Sequence, residues 1–63
     1  MNNEDLRKEI KLLKALQDVP YKEIAEYLEI RVSSFYSWLK GQYEFSEARQ
    51  KRLAEIIITL KET

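Results

Sequence analysis

Apolar residues first recur along this chain at Leu6, Ile10, Leu13 and Leu16, with Leu12 beside them. Steps of three and four put them on one face of a helix, and Arg7, Lys8, Lys11 and Lys14 fill the other face. Asn3 stands before Glu4 and Asp5, a capping amide followed by first-turn acids that suit the helix dipole. The first helix is therefore expected over residues 4–17. Asp18-Val19-Pro20 ends it, because the residue before a proline is pushed out of helical geometry. Pro20 then suits the start of a second helix, where its missing N–H costs nothing. Ile24, Ala25 and Leu28 form that helix's stripe over 21–28, with Tyr27 at its edge.

No glycine marks the next break. It follows from phase: Ile30 falls off the 24/28 stripe, and Val32-Ser33-Ser34 is a poor helix interior. A third helix is expected over 32–40, with Phe35, Trp38 and Leu39 inward. Lys40-Gly41 ends it with a cation at the negative end of the dipole and a glycine that tolerates left-handed geometry. Gln42 to Phe45 reads as a loop. Ser46 caps a fourth helix over 46–61, whose face is Leu53, Ile56, Ile57 and Leu60. The fold expected is a compact all-α domain of four helices.

Composition narrows this further. At 63 residues the chain makes one domain, and a chain of that length buries only about 60% of its unfolded surface, so stability is marginal. One Gly and one Pro argue against a β-rich fold. With no Cys and no His, disulfides are excluded, and zinc would have to be held by carboxylates alone. No metal or other cofactor is expected, and no small-molecule ligand. The longest apolar run is Ile56-Ile57-Ile58, and the opening MNNEDLRKE has no signal-peptide core, so a cytoplasmic protein without membrane contact is expected.

Formal net charge is zero, but it is unevenly spread. Arg31, Lys40, Arg49, Lys51 and Arg52 oppose only Glu44 and Glu47, so residues 31–52 carry +3 while residues 1–30 carry −2. The positive charge lies at and after the break between the second and third helices.

Two short helices joined by a tight turn form a helix-turn-helix unit. Close approach needs a small residue on the first helix, which Ala25 supplies. Leu28, Ile30, Phe35 and Trp38 then stand at the positions that must turn inward. On Ile24-Ala25, Leu28, Ile30, Phe35, Trp38 and Lys40-Gly41-Gln42-Tyr43, followed by Ser46, Leu53 and Ile57, residues 19–60 resemble the helix-turn-helix of the phage repressor and Cro family, the xenobiotic-response-element type. The chain departs from that pattern in four places. Glu29 stands where the family prefers glycine, Arg31 at the usual Ser or Thr cap, Leu39 at a usual Glu or Arg, and Pro20-Tyr21 at the common Thr-Gln.

The resemblance implies a lambda-repressor-like fold and a small Cro-like transcriptional regulator of phage or mobile-element origin. It would bind double-stranded DNA in a bacterial or phage-infected cytosol, blocking polymerase at an operator. The third helix would enter the major groove. Position by position, Val32, Ser33, Tyr36 and Ser37 would reach base edges, with Arg31 on the turn. Tyr21, Lys22, Lys40, Gln42 and Tyr43 would hold phosphates on either side. The serines discriminate weakly among bases, and none of the helix residues is a bidentate reader. The family binds two half-sites, which implies a homodimer, and Ile58, off the fourth helix's stripe, is the candidate contact.

An enzyme is not expected: histidine, cysteine and a glycine-rich phosphate loop are all missing, and no desolvated carboxylate pair is suggested. The competing function is a protein-interaction module on the same fold, which zero net charge and the weak base-reading set favour.

Overall fold

The computed structural model describes residues 1–62. Its elements are α1 (Asn3–Gln17), α2 (Tyr21–Leu28), α3 (Val32–Leu39) and α4 (Glu47–Glu62), with no strand among the described residues. The four expected helices are all present, and their limits move by one residue at most. Lys40 falls into the turn after α3, and Ser46 stands just outside α4 as its cap, accepting from the Arg49 amide at 3.3 Å.

One core holds them together. Leu6, Ile10 and Leu13 from α1 meet Ile24, Ala25 and Leu28 from α2, Phe35, Trp38 and Leu39 from α3, and Leu53 and Ile57 from α4. α4 packs against both α1 and α2, and α2 packs against α3. The inward residues of α2, α3 and α4 are those the pattern gave, with Ile56 and Leu60 at the margin of the core.

α1 differs from the pattern in three respects. Leu12 and Leu16 are exposed, because Leu6, Ile10 and Leu13 already define the buried stripe and the two leucines stand to one side of it. The cap is Asn2, whose Oδ1 accepts from the Asp5 amide at 2.8 Å. Asn3 is instead the first helical residue, and its amide points into the fold: Oδ1 accepts from Trp38 Nε1 at 2.8 Å and from the Phe45 amide at 2.9 Å. Arg7 is the third difference. It leaves the wet face, its guanidinium 5.0 Å from the Trp38 ring, with Nε donating to the Trp38 carbonyl at 2.6 Å and an Nη donating to the Tyr43 carbonyl at 2.8 Å.

The segment after α3 is also more than a connection. Phe45 is buried and stacks on Trp38 at 4.3 Å between centroids with the rings 5° from parallel. Asn3, Arg7, Trp38 and Phe45 therefore form one lock between the first turns of α1 and the end of α3.

The α2–α3 turn explains how a helix breaks without glycine. Glu29 takes left-handed geometry, φ 61° and ψ 39°. Its amide donates to the Glu26 carbonyl at 3.0 Å and the Ile30 amide to Ala25 at 3.1 Å. That paired closure ends a helix on a left-handed residue, and Ile30 then folds back against the core. The same closure recurs after α3, where Gly41 has φ 82°, its amide donates to Trp38 at 2.9 Å and Gln42 donates to Ser37 at 3.0 Å. Gly41 meets this demand freely, whereas Glu29 is strained by about 1 kcal/mol. Glu29→Gly is accordingly expected to raise stability by roughly 0.5–1 kcal/mol, or about 4 °C in Tm. The exposed, 3.8 Å contact of Glu29 with Arg52 offsets little of this. Thermal melts of the two chains would measure it, and a lower Tm for the glycine chain would contradict it.

Candidate nucleic-acid interface

α3 is fixed by the side it buries. Phe35, Trp38 and Leu39 are in the core, and Ser34 is half-buried with its carbonyl accepting from the Tyr43 hydroxyl at 3.0 Å. What remains outward is set by the helical period: positions 32, 33, 36 and 37 share one face. Val32, Ser33 and Tyr36 are exposed and Ser37 is half-buried. Among the described residues, no other helix buries them. Tyr36 is oriented nonetheless, since its ring meets Tyr21 edge-on at 5.6 Å and 83°.

Arg31 precedes α3 in extended geometry and makes no capping hydrogen bond with its side chain. It is exposed. Its guanidinium is thus beside the first turn of α3 and uncommitted. α2 likewise starts without a side-chain cap, at Pro20. The first amides of a helix left in this way face solvent and favour an anion, and Lys22 sits among them.

The flanking residues divide into two kinds. Among the described residues, the side chains of Lys22, Arg31, Lys40 and Gln42 make no ion pair or hydrogen bond within the protein, and all four are exposed. They are available to an outside partner. Tyr21 and Tyr43 also pack within the protein. Tyr21 is half-buried and packs on Phe35 at 6.0 Å, with Lys14 Nζ 5.9 Å from its ring. Tyr43 spends its hydroxyl proton on Ser34 and sets its ring against Phe45 at 5.8 Å. Both brace α3, Tyr43 at the Ser34 carbonyl and Tyr21 at Phe35 and Tyr36, and this follows from their size: a tyrosine beside a short helix covers apolar surface before it reaches outward.

Nearby carboxylates are partly withdrawn by internal partners. Glu44 pairs with Arg7 at 3.3 Å, Glu29 lies 3.8 Å from Arg52, and Glu23 accepts from the Tyr27 hydroxyl at 3.4 Å. α3 itself has no acidic residue. The face made by Arg31, α3 and Lys40 is therefore positive, although the chain as a whole is neutral.

The residues missed from sequence are the ones that hold this face rather than form it. Arg7 is a polar residue on a helix whose apolar stripe is complete without it, so periodicity assigns it to solvent, and Asn3 read as a cap. Phe45 stands alone between two helices, and its burial had no pattern to reveal it. No family model, curated protein or solved structure shows a significant match to the chain.

Proposed function

We propose that the chain is a sequence-specific binder of double-stranded DNA, a Cro-like transcriptional regulator whose α3 lies in the major groove. The observation that carries this reading is the division of α3: one side locked in the core by Phe35, Trp38 and Leu39, the other presenting Val32, Ser33 and Tyr36 with Arg31 at its head and Lys40 at its foot. A rigid helix with an uncovered, acid-free face flanked by free cations has the shape and charge that groove binding needs.

Within this reading, Val32 packs on a thymine methyl, Ser33 and Ser37 exchange hydrogen bonds with base edges, and Tyr36 reaches bases or sugar from its support on Tyr21. Arg31 is the one group here that can engage guanine bidentately. Lys22, Lys40 and Gln42 meet phosphates, helped by the open amides of α2. Tyr21 and Tyr43 act chiefly by holding α3 in register.

Salt dependence tests the reading. Affinity for a labelled duplex of random sequence is expected to fall linearly on a log–log plot against salt. Lys22→Ala and Lys40→Ala should each lower the slope by about 0.9, the share of one phosphate contact. Affinity that ignores salt would contradict it. That result would favour a protein-interaction module, for which the exposed Val32 and Tyr36 are the specific observation.

A further inference from the structure

The outward side of α3 offers a base few kinds of group. Of its sequence VSSFYSWL, Val32, Ser33 and Tyr36 are exposed and Ser37 is half-buried. Val32 and Tyr36, 37% and 44% exposed, stand four positions apart and so on one face. The Tyr36 ring is held edge-on against Tyr21 at 5.6 Å. The helix thus presents two apolar surfaces and otherwise only hydroxyls, with the Arg31 guanidinium at its head.

These groups sort bases in one way. A hydroxyl donates to O4 of thymine or O6 of guanine, and it accepts from the amino group of cytosine or adenine. It therefore tolerates exchange of a T·A pair for a C·G pair. An apolar side chain instead responds to the methyl on carbon 5 of a pyrimidine, the apolar group that the major groove offers. Thymine carries that methyl, 5-methylcytosine carries it at the same place, and cytosine lacks it. Arg31 and Val32 are consecutive, with Cα atoms about 3.8 Å apart, close to the spacing of about 3.4 Å between base pairs. A guanine held by Arg31 and a methyl covered by Val32 then belong to neighbouring base pairs. Tyr36 lies about 6 Å further along the helix, where it meets a second methyl.

We propose, on the DNA-binding reading, that this face recognises 5-methylpyrimidines rather than particular base pairs. Its target is a methylated pyrimidine beside a guanine, with thymine and 5-methylcytosine equivalent and unmethylated cytosine rejected. Methylation of cytosine then creates a binding site in DNA of unchanged sequence.

The test starts from the duplex most enriched when the pure protein selects from a random library. That duplex is remade in three forms. In the first, uracil replaces thymine, which keeps every hydrogen-bonding group and removes only the methyl. In the other two, the thymine beside guanine becomes 5-methylcytosine or cytosine, each paired with guanine. One buried methyl is worth about fourfold in affinity, so the uracil form, which loses both methyls of a half-site, should bind about tenfold or more weakly. The 5-methylcytosine form should bind as the thymine form does, and the cytosine form should bind about fourfold more weakly. Val32→Ser should lower the ratio between the thymine and uracil forms by about fourfold, with helical circular dichroism kept. The ratio is taken within one protein, so a general loss of affinity does not move it. An enriched motif without thymine beside guanine, or equal binding of the thymine and uracil forms, would overturn the inference and leave the DNA-binding reading standing. A library from which nothing is enriched would overturn both.

Discussion

Trp38→Ala is expected to leave the chain largely unfolded at 25 °C. Trp38 is fully buried and is the largest side chain in the core. Phe45 stacks on one side of it, Phe35 lies 5.6 Å away between centroids, the Arg7 guanidinium sits over the ring, and Asn3 accepts its N–H. Truncating such a residue costs about 3–5 kcal/mol. A domain below about 70 residues rarely has more than 3–5 kcal/mol in total. The cost thus equals or exceeds the reserve. Trp38→Phe should remain folded, since it keeps most of the stacking and loses one hydrogen bond, a cost of roughly 1–2 kcal/mol. Urea titration followed by far-UV circular dichroism distinguishes the outcomes. An alanine chain with a cooperative transition within about 1 kcal/mol of the parent would refute the central place given to Trp38.

Arg7→Met should cost about 2 kcal/mol, far more than an ordinary surface substitution. The arginine side chain is only 14% exposed, and its fork joins the Trp38 carbonyl at the end of α3 to the Tyr43 carbonyl in the following loop. Charge-assisted hydrogen bonds of this kind are worth about 1.5–3 kcal/mol when buried and less at this partly exposed site. Methionine keeps the apolar stem over Trp38 and removes the fork. Arg7→Lys restores charge without the fork or the planar stacking, so it should recover less than half of the loss. The salt bridge to Glu44 is not the source: Glu44 is well exposed, and Glu44→Gln should change stability by only a few tenths of a kcal/mol. Equal stability of the methionine and parent chains would place Arg7 back among the solvated lysines of α1.

These two residues show where the sequence was legible and where it was not. The apolar period located α2, α3 and α4 because each carries one stripe and one boundary signal. The resemblance marked Glu29 as standing where the family prefers glycine, and the residue takes left-handed geometry there. α1 was harder to read because it carries more leucines than it buries: period alone cannot separate Leu13 from Leu16 when the core faces only three residues of the helix. Arg7 and Asn3 act through hydrogen bonds to residues more than thirty positions away, and no local pattern encodes such a partner. On the candidate interface, the set that the resemblance named on α3 is exposed at Val32, Ser33 and Tyr36 and half-buried at Ser37. The packing of Tyr21 and Tyr43 was not legible, since it depends on where Phe35, Phe45 and Ser34 stand in the fold.

The most direct test of the DNA-binding reading is selection from a random duplex library by the pure protein at low salt, with the retained sequences read out. The reading predicts enrichment of a motif with two-fold symmetry, its half-sites about one helical turn apart, lost when Arg31 and Tyr36 are replaced by alanine in a chain that remains helical. Retention without any enriched motif, or no retention at all, would contradict it.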